Sequence, residues 1–265
     1  MKLCSIASGS SGNCIYIGTE ATHLLVDVGI SGKKTVEGLN GLGLTGNDID
    51  GILITHEHSD HINGLGVMCR KFGIPVYGTK GTISAIREVS NLGKLDDSLF
   101  HVIRADEKFI LKDITVNPMK ISHDAAEPVA YRFQYGGRRM AVATDLGIYD
   151  EYTVESLKCM DALLLEANHD INMLQVGPYP YYLKQRILGN RGHLSNELSG
   201  KLLSRLLHDN LKAVVLGHLS KENNLAELAY ETVRLEISMA DNPYRPDDFP
   251  IFVANRSEIS QLVEI

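Results

Sequence analysis

Short apolar runs separated by turn residues mark the strands that we expect in the first third of the chain. The segments KLCSIA, CIYIG and HLLVDVG are apolar and rich in β-branched residues. A fully apolar strand, GILIT, is predicted over residues 51–55, and a helical pattern follows it from about Asp60 to Phe72. The run PVYG and a further helix near residues 80–91 continue the alternation, which predicts an α/β fold.

The pattern changes over residues 107–144, where alternating apolar and polar positions predict an antiparallel meander with a hairpin turn at YGGR. Strands and helices then alternate again, with ALLLEA and LKAVVLGH as buried strands and an amphipathic helix between them. Asn224, with Glu227 three residues later, predicts a capping box for a helix to about residue 238. We see no low-complexity linker and no charge block, so we expect one domain over residues 1–265.

Two apolar strands that end in histidine resemble each other across the two halves of the chain. They are GILITHEHSDH and AVVLGHLSKEN. Active sites favour the C-terminal ends of such strands, because loops project freely there. We therefore expect a pseudo-symmetric double α/β layer with metal between its halves.

Composition and charge narrow the class of protein. The chain is 44% hydrophobic and 22% charged, as in ordinary globular proteins with a sizeable core. No stretch approaches the roughly 18 apolar residues of a membrane span, and MKLCSIASGSSGN lacks the features of a signal peptide, so we expect a cytoplasmic protein that does not enter the membrane. Four scattered cysteines without CxxC spacing are interpreted as reduced core residues. The net charge of −7 disfavours broad polyanion binding, so a nucleic-acid enzyme would need basic residues near its active site.

The segment THEHSDHING carries the clearest chemical signal in the chain. It places His56, His58, Asp60 and His61 directly after a predicted strand. A loop there can direct two histidines to one metal and the Asp/His pair to another. Imidazole with carboxylate suits Zn²⁺, Mn²⁺ or Fe, and ligand type alone does not choose among them. The cluster predicts metal binding but leaves the reaction open, since such ligands serve β-lactam, thioester and phosphodiester hydrolysis alike.

HEHSDH resembles the signature of the metallo-β-lactamase superfamily, and the other superfamily motifs follow in order over nearly the whole chain. Asp27 in LLVDVG resembles the aspartate that orients the HxHxDH loop through hydrogen bonds. The resemblance implies an α/β fold, a four-layer αβ/βα sandwich, with a site for two metals. The implied ligands are His56, His58 and His123 for metal one, Asp60, His61 and His218 for metal two, and Asp145 as the bridge.

Two divalent metals would bind and deprotonate a shared water and neutralise charge on the attacked group. A bridging aspartate at Asp145, with no cysteine in a ligand context, argues against β-lactam hydrolysis. His58 stands where oxygen-reducing flavodiiron proteins carry glutamate, which disfavours that branch. Thioesterases of the glyoxalase II type and lactonases share the full ligand set, so they remain open.

Glu166 in LLLEAN and His193 in RGHLSN resemble the paired acid/base residues of tRNase Z-like phosphodiesterases. There a glutamate supports a histidine that protonates the departing alkoxide. A thiolate leaving group needs such help less, so the pair favours a phosphodiester. Asp60, Glu166 and His193 are the expected catalytic residues, and His169 and Asp170 are further candidates for substrate contact; the alternative is a helix-entry histidine without a catalytic role.

Substrate binding is expected on two segments. The segment 171–192 is basic, contains three tyrosines and lacks acidic residues, which suits a phosphate backbone with unstacked bases. The segment ASGSSGNC offers amides and hydroxyls for a phosphate. A solvated loop with inward-packed tyrosines and an ordinary turn between strands are the simpler alternatives. The expected substrate-binding residues are Ser10, Ser11, Asn13, Tyr182, Lys184, Arg186 and Arg191.

The motifs ASGSSGNC, HEHSDH, SHD, ATDLG, GHLSN and LGHLSKENN together closely resemble the YycJ/WalJ family of bacterial cytoplasmic metallohydrolases. That resemblance implies a 5′–3′ exonuclease on DNA, a phosphodiesterase with two divalent metals and a metal-bridging hydroxide as nucleophile. Too few residues separate Asp145 from His218 for the inserted domain of β-CASP nucleases. The alternative is a hydrolase of small thioesters, lactones or cyclic phosphodiesters, and a third interpretation is a regulatory protein that retains a metal site.

Overall fold

The computed structural model describes all 265 residues, and its strands form two seven-stranded sheets. In chain order the strands are β1 (Lys2–Ala7), β2 (Cys14–Gly18), β3 (His23–Val26), β4 (Gly51–Leu53), β5 (Val76–Thr79), β6 (Phe100–Ile103), β7 (Phe109–Leu111), β8 (Ile114–Lys120), β9 (Val129–Tyr135), β10 (Arg138–Ala143), β11 (Ala162–Glu166), β12 (Ala213–Gly217), β13 (Ile251–Val253) and β14 (Val263–Glu264). The first sheet has the order β14-β1-β2-β3-β4-β5-β6, and the second has the order β13-β12-β11-β10-β9-β8-β7.

Nine α-helices accompany the sheets. They are α1 (Gly32–Gly41), α2 (Ser59–Ile62), α3 (Leu65–Phe72), α4 (Lys80–Arg87), α5 (Glu151–Leu157), α6 (Ile171–Val176), α7 (Tyr181–Leu188), α8 (Asn196–Leu206) and α9 (Ala226–Met239). Short 3-10 helices cover Gly46–Asp48, Ser90–Leu92, Asp97–Leu99 and Pro246–Asp248. No helix is both long enough and apolar enough to cross a membrane.

Three apolar cores divide the molecule into four layers. Between the sheets, Val26 and its neighbours pack in one cluster with Tyr131 and Leu164 from the second sheet. Helices α1 and α3 cover the outer face of the first sheet, and α5, α8 and α9 cover the outer face of the second. This helix–sheet–sheet–helix order confirms the predicted four-layer α/β sandwich.

The two sheets share one pattern of strand pairing. Counted from β14 in the first sheet and from β7 in the second, each sheet has three antiparallel pairings followed by three parallel ones. By this order β4 corresponds to β11, and β5 corresponds to β12. The sequence suggested that GILIT (β4) and AVVLG (β12) occupy equivalent positions in the two halves, and this correspondence is wrong by one strand. Both segments are apolar because buried parallel strands in general are apolar. Apolar composition therefore does not distinguish one parallel strand from the strand next to it.

Several local predictions need correction. The helix expected from Asp60 to Phe72 is divided into α2 and α3, because the Gly64 N–H donates to the Val28 carbonyl at 2.8 Å and turns the chain. The predicted capping box is absent: Asn224 is buried and donates to the carbonyls of Ala167 and Asn168 at 2.9 and 3.0 Å, while α9 begins without a side-chain cap. All four cysteines are free; three are buried as expected, but Cys159 is exposed.

Candidate metal centre

The predicted ligands converge at one end of the two sheets. The loop after β4 leads into α2, a single helical turn whose N-cap is His58 and which contains Asp60 and His61. His123 follows β8, Asp145 follows β10 and His218 follows β12. In α2 each residue is rotated around the helix axis relative to the one before it. Asp60 and His61, which are adjacent in the sequence, therefore do not point to opposite faces as they would in a strand.

Three imidazoles form the first set of ligand atoms. The Nε2 atom of His56 lies 3.0 Å from Nδ1 of His58, and that Nδ1 lies 3.3 Å from Nε2 of His123. His56 and His123 are buried, and the His58 side chain is 28% exposed. The ligand atoms of the three residues all lie within 4.8 Å of one another, which matches the set predicted for metal one.

Asp60, His61 and His218 form a second set beside the first. Oδ2 of Asp60 lies 3.4 Å from Nε2 of His61 and 3.4 Å from Nε2 of His218. The Asp145 carboxylate lies between the sets, with Oδ2 at 3.4 Å from Nε2 of His61 and Oδ1 at 3.7 Å from Nε2 of His123. The structure thus brings together all of the predicted ligands, with the Asp145 carboxylate between the two sets.

The donor atoms fit divalent cations. Oδ2 of Asp145 is buried and has no hydrogen-bond partner, and such an orphaned acceptor is destabilising by about 1–3 kcal/mol unless something satisfies it. Imidazole nitrogens also face one another within hydrogen-bond distance, an arrangement in which a shared cation replaces shared protons. The combination of imidazole and carboxylate donors suits Zn²⁺, Mn²⁺ or Fe.

The electrostatics of the centre also favour a bound cation. Burial, with the neighbouring His61 and His123, holds the pKa of His56 well below its usual value. Burial opposes charge on His218 as well, but Asp145, Asp60 and Glu166 outweigh it and raise its pKa to about 10. The buried carboxylates therefore favour positive charge beside them, and divalent cations would supply it.

Asp27 holds the ligand loop from behind. Its Oδ1 accepts from the Thr55 N–H at 2.8 Å, and its Oδ2 accepts from the Thr55 hydroxyl at 2.8 Å and lies 2.8 Å from Nδ1 of His61. The bond to Nδ1 directs Nε2 of His61 into the centre. Burial raises the pKa of Asp27, although His61 and Thr55 oppose this. Its position agrees with the orienting role that the sequence predicts.

Glu166 contacts two histidines at once. Its Oε1 lies 2.8 Å from Nδ1 of His193 and 3.0 Å from Nδ1 of His218, and its Oε2 accepts from the N–H groups of Leu146 and Leu194. Although burial opposes ionisation, the two histidines hold the pKa of Glu166 below its usual range. Sequence reasoning found the contact with His193 but missed the contact with His218, which follows from the pairing of Glu166 with Gly217 in neighbouring parallel strands.

The other candidates near Glu166 have different surroundings. The His193 side chain is 17% exposed. Its Nδ1 contacts Glu166 and also lies 3.5 Å from Oδ1 of Asp145, whereas its Nε2 has no hydrogen bond within the protein. His169 is buried, with Nδ1 at 3.3 Å from Oδ1 of Asn168 and Nε2 without a partner. Asp170 caps α6 by accepting from the Met173 N–H at 2.7 Å, so its carboxylate has a structural bond.

The predicted substrate-binding residues lie around the centre but differ in availability. Ser10 and Ser11 are exposed, whereas Asn13 is buried and donates from Nδ2 to the carbonyls of Gly9 and Asp60 at 3.1 and 3.3 Å. Asn13 therefore shapes the loop that carries Asp60 and has no free amide for a substrate. This differs from the sequence-based expectation because Nδ2 already contacts the carbonyls of Gly9 and Asp60 and also lies 3.3 Å from Nε2 of His61.

The basic residues of segment 171–192 also have partners of their own. Lys184 donates to the Gln175 carbonyl at 2.7 Å, and Nε of Arg191 donates to the His123 carbonyl at 3.1 Å. Arg186 pairs with Asp124, its Nε donating to Oδ2 at 2.5 Å and its Nη2 to Oδ1 at 3.1 Å. Tyr182 is 74% exposed, so it is not one of the inward-packed tyrosines of the simpler alternative.

Sequence reasoning assigned no role to two residues that contact the centre. Oδ1 of Asp124 lies 3.5 Å from Nε2 of His123, and Arg186 keeps the pKa of this carboxyl low although burial opposes ionisation. Asn168 donates from Nδ2 to the His218 carbonyl at 2.9 Å. Asp124 adjoins a predicted ligand in SHD, which was a usable signal, whereas nothing in the local sequence marks Asn168.

Comparisons with known proteins point to one family. A family model described as "Beta-lactamase superfamily domain" matches residues 22–219. The chain is 40% identical over 264 residues to exodeoxyribonuclease WalJ of Streptococcus pneumoniae serotype 2 (strain D39 / NCTC 7466), covering 100% of this chain and 98% of the relative. It is 41% identical over 236 residues to exodeoxyribonuclease YycJ of Bacillus anthracis, covering 86% of each. The crystal structure of the metallo-β-lactamase fold protein YhfI from Bacillus subtilis matches with a TM-score of 0.71 and 16% identity, over 98% of this chain and 99% of that one.

Proposed function

The chain belongs to the metallo-β-lactamase superfamily, within the group of WalJ and YycJ, and on that premise we propose that it is an exodeoxyribonuclease that cleaves DNA in the 5′–3′ direction. Membership makes it a metal-dependent hydrolase. The named activity of the relatives, matched over the full length of the chain, supports DNA as the substrate. The observation that carries the chemistry is the Glu166–His193 pair beside Asp145, because it supplies a proton donor for an alkoxide leaving group.

Two divalent metals, Zn²⁺, Mn²⁺ or Fe, are the proposed cofactors. The seven residues that would hold them are His56, His58, Asp60, His61, His123, Asp145 and His218. Bound there, the metals would supply an activated water for attack on phosphorus and neutralise the charge that develops on the phosphate. Asp27 and Glu166 orient His61 and His218 by hydrogen bonds to Nδ1, so that Nε2 of each faces the metals.

His193 is the proposed proton donor. Glu166 accepts a hydrogen bond from Nδ1, which fixes the ring and stabilises its protonated form. Nε2 is then the atom that delivers a proton to the departing sugar oxygen. Arg191 and Lys184 would contact the phosphate backbone, with Arg186 joining them when it exchanges Asp124 for a phosphate; Ser10, Ser11 and Tyr182 complete the proposed contacts.

The test compares leaving groups of different basicity. His193→Ala should lower kcat on 5′-phosphorylated DNA by about 10²–10⁴-fold, because the alkoxide departs unprotonated. It should change the turnover of bis(p-nitrophenyl) phosphate far less, because p-nitrophenolate leaves without a proton. Both rates are measured with Mn²⁺-, Zn²⁺- and Fe-loaded protein. His101→Ala, which changes an exposed histidine on β6, is the matched control and should leave both rates unchanged.

The same assay includes RNA, a thioester, a lactone and a cyclic nucleotide. Hydrolysis of the thioester or the lactone with DNA left intact would overturn the nuclease proposal in favour of a small-molecule hydrolase. Equal losses on DNA and on bis(p-nitrophenyl) phosphate in His193→Ala would remove the proton-donor role while leaving the nuclease assignment in place.

A further inference from the structure

Residues 171–192, which we call the arm, leave and re-enter the molecule at the metal centre. The arm contains α6 and α7, starts directly after Asp170 and ends directly before His193. Its last residues hold His123 from two sides: the Gly192 carbonyl lies 3.0 Å from Nδ1, and Arg191 donates to the His123 carbonyl. Within α7, Arg186 donates to Oδ1 of Asp124, which itself lies 3.5 Å from Nε2 of His123, so the arm approaches the ligand atoms through α7 as well as through its last residues.

The outer surface of the arm exposes large apolar side chains. Leu174 and Ile187 point inward and are buried, whereas Val176, Tyr181 and Tyr182 are 86, 77 and 74% exposed. No hydrogen bond holds either tyrosine hydroxyl, so nothing in the chain fixes these rings. Large exposed apolar and aromatic side chains that lie close together in the chain are typical of a binding surface.

The charge of the arm is positive in an acidic protein. No Asp or Glu lies between residues 171 and 196, although the net charge of the chain is −7. Lys184 and Arg191 have no carboxylate within 4.0 Å, and Arg186 is the one basic residue of the arm in an ion pair. The surface thus combines exposed aromatic rings with cations that have no carboxylate partner. The rings suit the bases of a nucleic-acid strand, and the cations suit its phosphates.

We propose that the arm binds unpaired nucleotides of a DNA strand by stacking their bases on Tyr181 and Tyr182, so that the protein prefers single-stranded or frayed ends to fully paired ends. This inference rests on the proposed nuclease function. In a closed duplex the base faces are already stacked on one another, and only the phosphates remain for Lys184 and Arg191. An unpaired end offers the rings a free face and the cations a flexible backbone.

A second copy of the chain fits the arm less well. A symmetric dimer places the same surface of both subunits face to face. Two surfaces of the same positive charge would then face each other, with no acidic residue of the arm to compensate. The charge therefore selects a polyanion as the partner.

The absence of tryptophan allows a direct test. Tyr182→Trp gives the protein a single indole on the arm, and Tyr135→Trp places a control indole at the end of β9, in the hairpin formed with β10. Each variant is titrated in EDTA with a 5′-phosphorylated single-stranded 12-mer and with the blunt duplex of the same sequence. We expect the single strand to quench the arm indole saturably and the duplex to bind at least tenfold more weakly. The control indole should show no quenching at the same concentrations.

A second measurement follows turnover in the metal-loaded protein. The double variant Tyr181→Ala/Tyr182→Ala should raise KM for single-stranded or overhanging ends by about tenfold or more and abolish the preference over blunt ends, since one stacked base contributes roughly 5- to 150-fold in affinity. Tyr135→Ala should keep that preference.

Equal quenching of the arm indole by duplex and single strand, or quenching by neither, would overturn the proposal. So would an arm-indole signal that changes with protein concentration alone, because the arm would then join two subunits. Binding is read in EDTA, so a protein that binds single strands but hydrolyses no DNA under any metal would refute the proposed function and leave the arm assignment standing.

Discussion

Glu166 orients the proposed proton donor and a proposed metal ligand through one oxygen atom. Its Oε1 faces Nδ1 of His193 and Nδ1 of His218, while Oε2 is occupied by two backbone N–H donors. A carboxylate accepts on both oxygens, so each imidazole keeps its proton on Nδ1. Nε2 of His218 is then a free donor atom, directed at the metal centre.

Glu166→Gln should disrupt this arrangement while keeping the shape of the side chain. The amide oxygen must face the backbone N–H groups, which puts the NH₂ group against the two imidazoles and forces their protons onto Nε2. We expect metal bound through His218 to weaken by about 10- to 100-fold. Calorimetric titration with Zn²⁺ or Mn²⁺ measures this, with Glu155→Gln on α5 as an exposed control. Unchanged affinity in Glu166→Gln would contradict the orienting role.

The sequence allowed the ligand residues to be predicted better than the residues around them. His56, His58, Asp60 and His61 lie in one short segment whose spacing indicates metal directly. Arg186 and Asn13 were expected to bind substrate, yet Arg186 pairs with Asp124 and Asn13 with backbone carbonyls. Asp124 lies 62 residues from Arg186, and Asp60, one of the partners of Asn13, lies 47 residues from it, so no local pattern could indicate these contacts.

Three loops interlock where the elements of the first sheet approach the centre. The Gly29 N–H donates to the Asn13 carbonyl at 2.7 Å, and the Asn13 N–H donates to the Asp60 carbonyl at 2.8 Å. A Cβ atom on Gly29 would overlap the Asp60 carbonyl. The loop after β3 thus sets the position of α2 and of the ligands on it.

Gly29→Ala should therefore shift the ligand loop. Because the obstructing atoms belong to the backbone, we expect a loss of about 1–3 kcal/mol in the free energy of unfolding, together with weaker metal binding. Gly41→Ala, where the new methyl group meets only the end of the Ile259 side chain, should stay within about 0.5 kcal/mol of the parent. Urea unfolding of the metal-free proteins tests the difference, and equal stability of the two variants would show that the loops adapt freely.

The helices and strands could be recognised from the sequence because the periodicity of apolar positions reflects which side chains are buried against the two sheets. The boundaries were less predictable: β6 was not predicted, since FHVI is only four residues long and two of them, His101 and Val102, are exposed. The break between α2 and α3 and the bonds of Asn224 depend on backbone groups from other loops. In each case a tertiary contact overrides a local preference.

At the scale of the molecule, each proposed metal takes ligands from both sheets. For metal one, His56 and His58 follow a strand of the first sheet, whereas His123 follows a strand of the second. For metal two, Asp60 and His61 follow the same strand of the first sheet, whereas His218 follows a strand of the second. The halves also contact each other through the apolar core between the sheets and through hydrogen bonds such as that from the Tyr131 hydroxyl to the Ile54 carbonyl. Bound metal should therefore hold the two halves together.

Metal removal should lower thermal stability. At a free metal concentration of about 100 times Kd, binding to the folded state alone adds about 2.7 kcal/mol, which corresponds to a rise in Tm of roughly 5–10 °C for a chain of this size. Calorimetry with and without EDTA measures the change. His123→Ala should reduce the metal-dependent rise, and an identical Tm with and without metal in the parent protein would contradict the link between the halves.

The first and last strands of the chain are hydrogen-bonded neighbours. β14 pairs with β1, and the amino group of Met1 donates to the Ile265 carbonyl at 2.5 Å. A short linker could join the two ends, and the chain could be opened instead at the exposed turn Gly136–Gly137 between β9 and β10. Such a circular permutant would begin with β10 and keep every pairing of both sheets, so β10–β13 would be synthesised before the first sheet without redesigning the reaction centre.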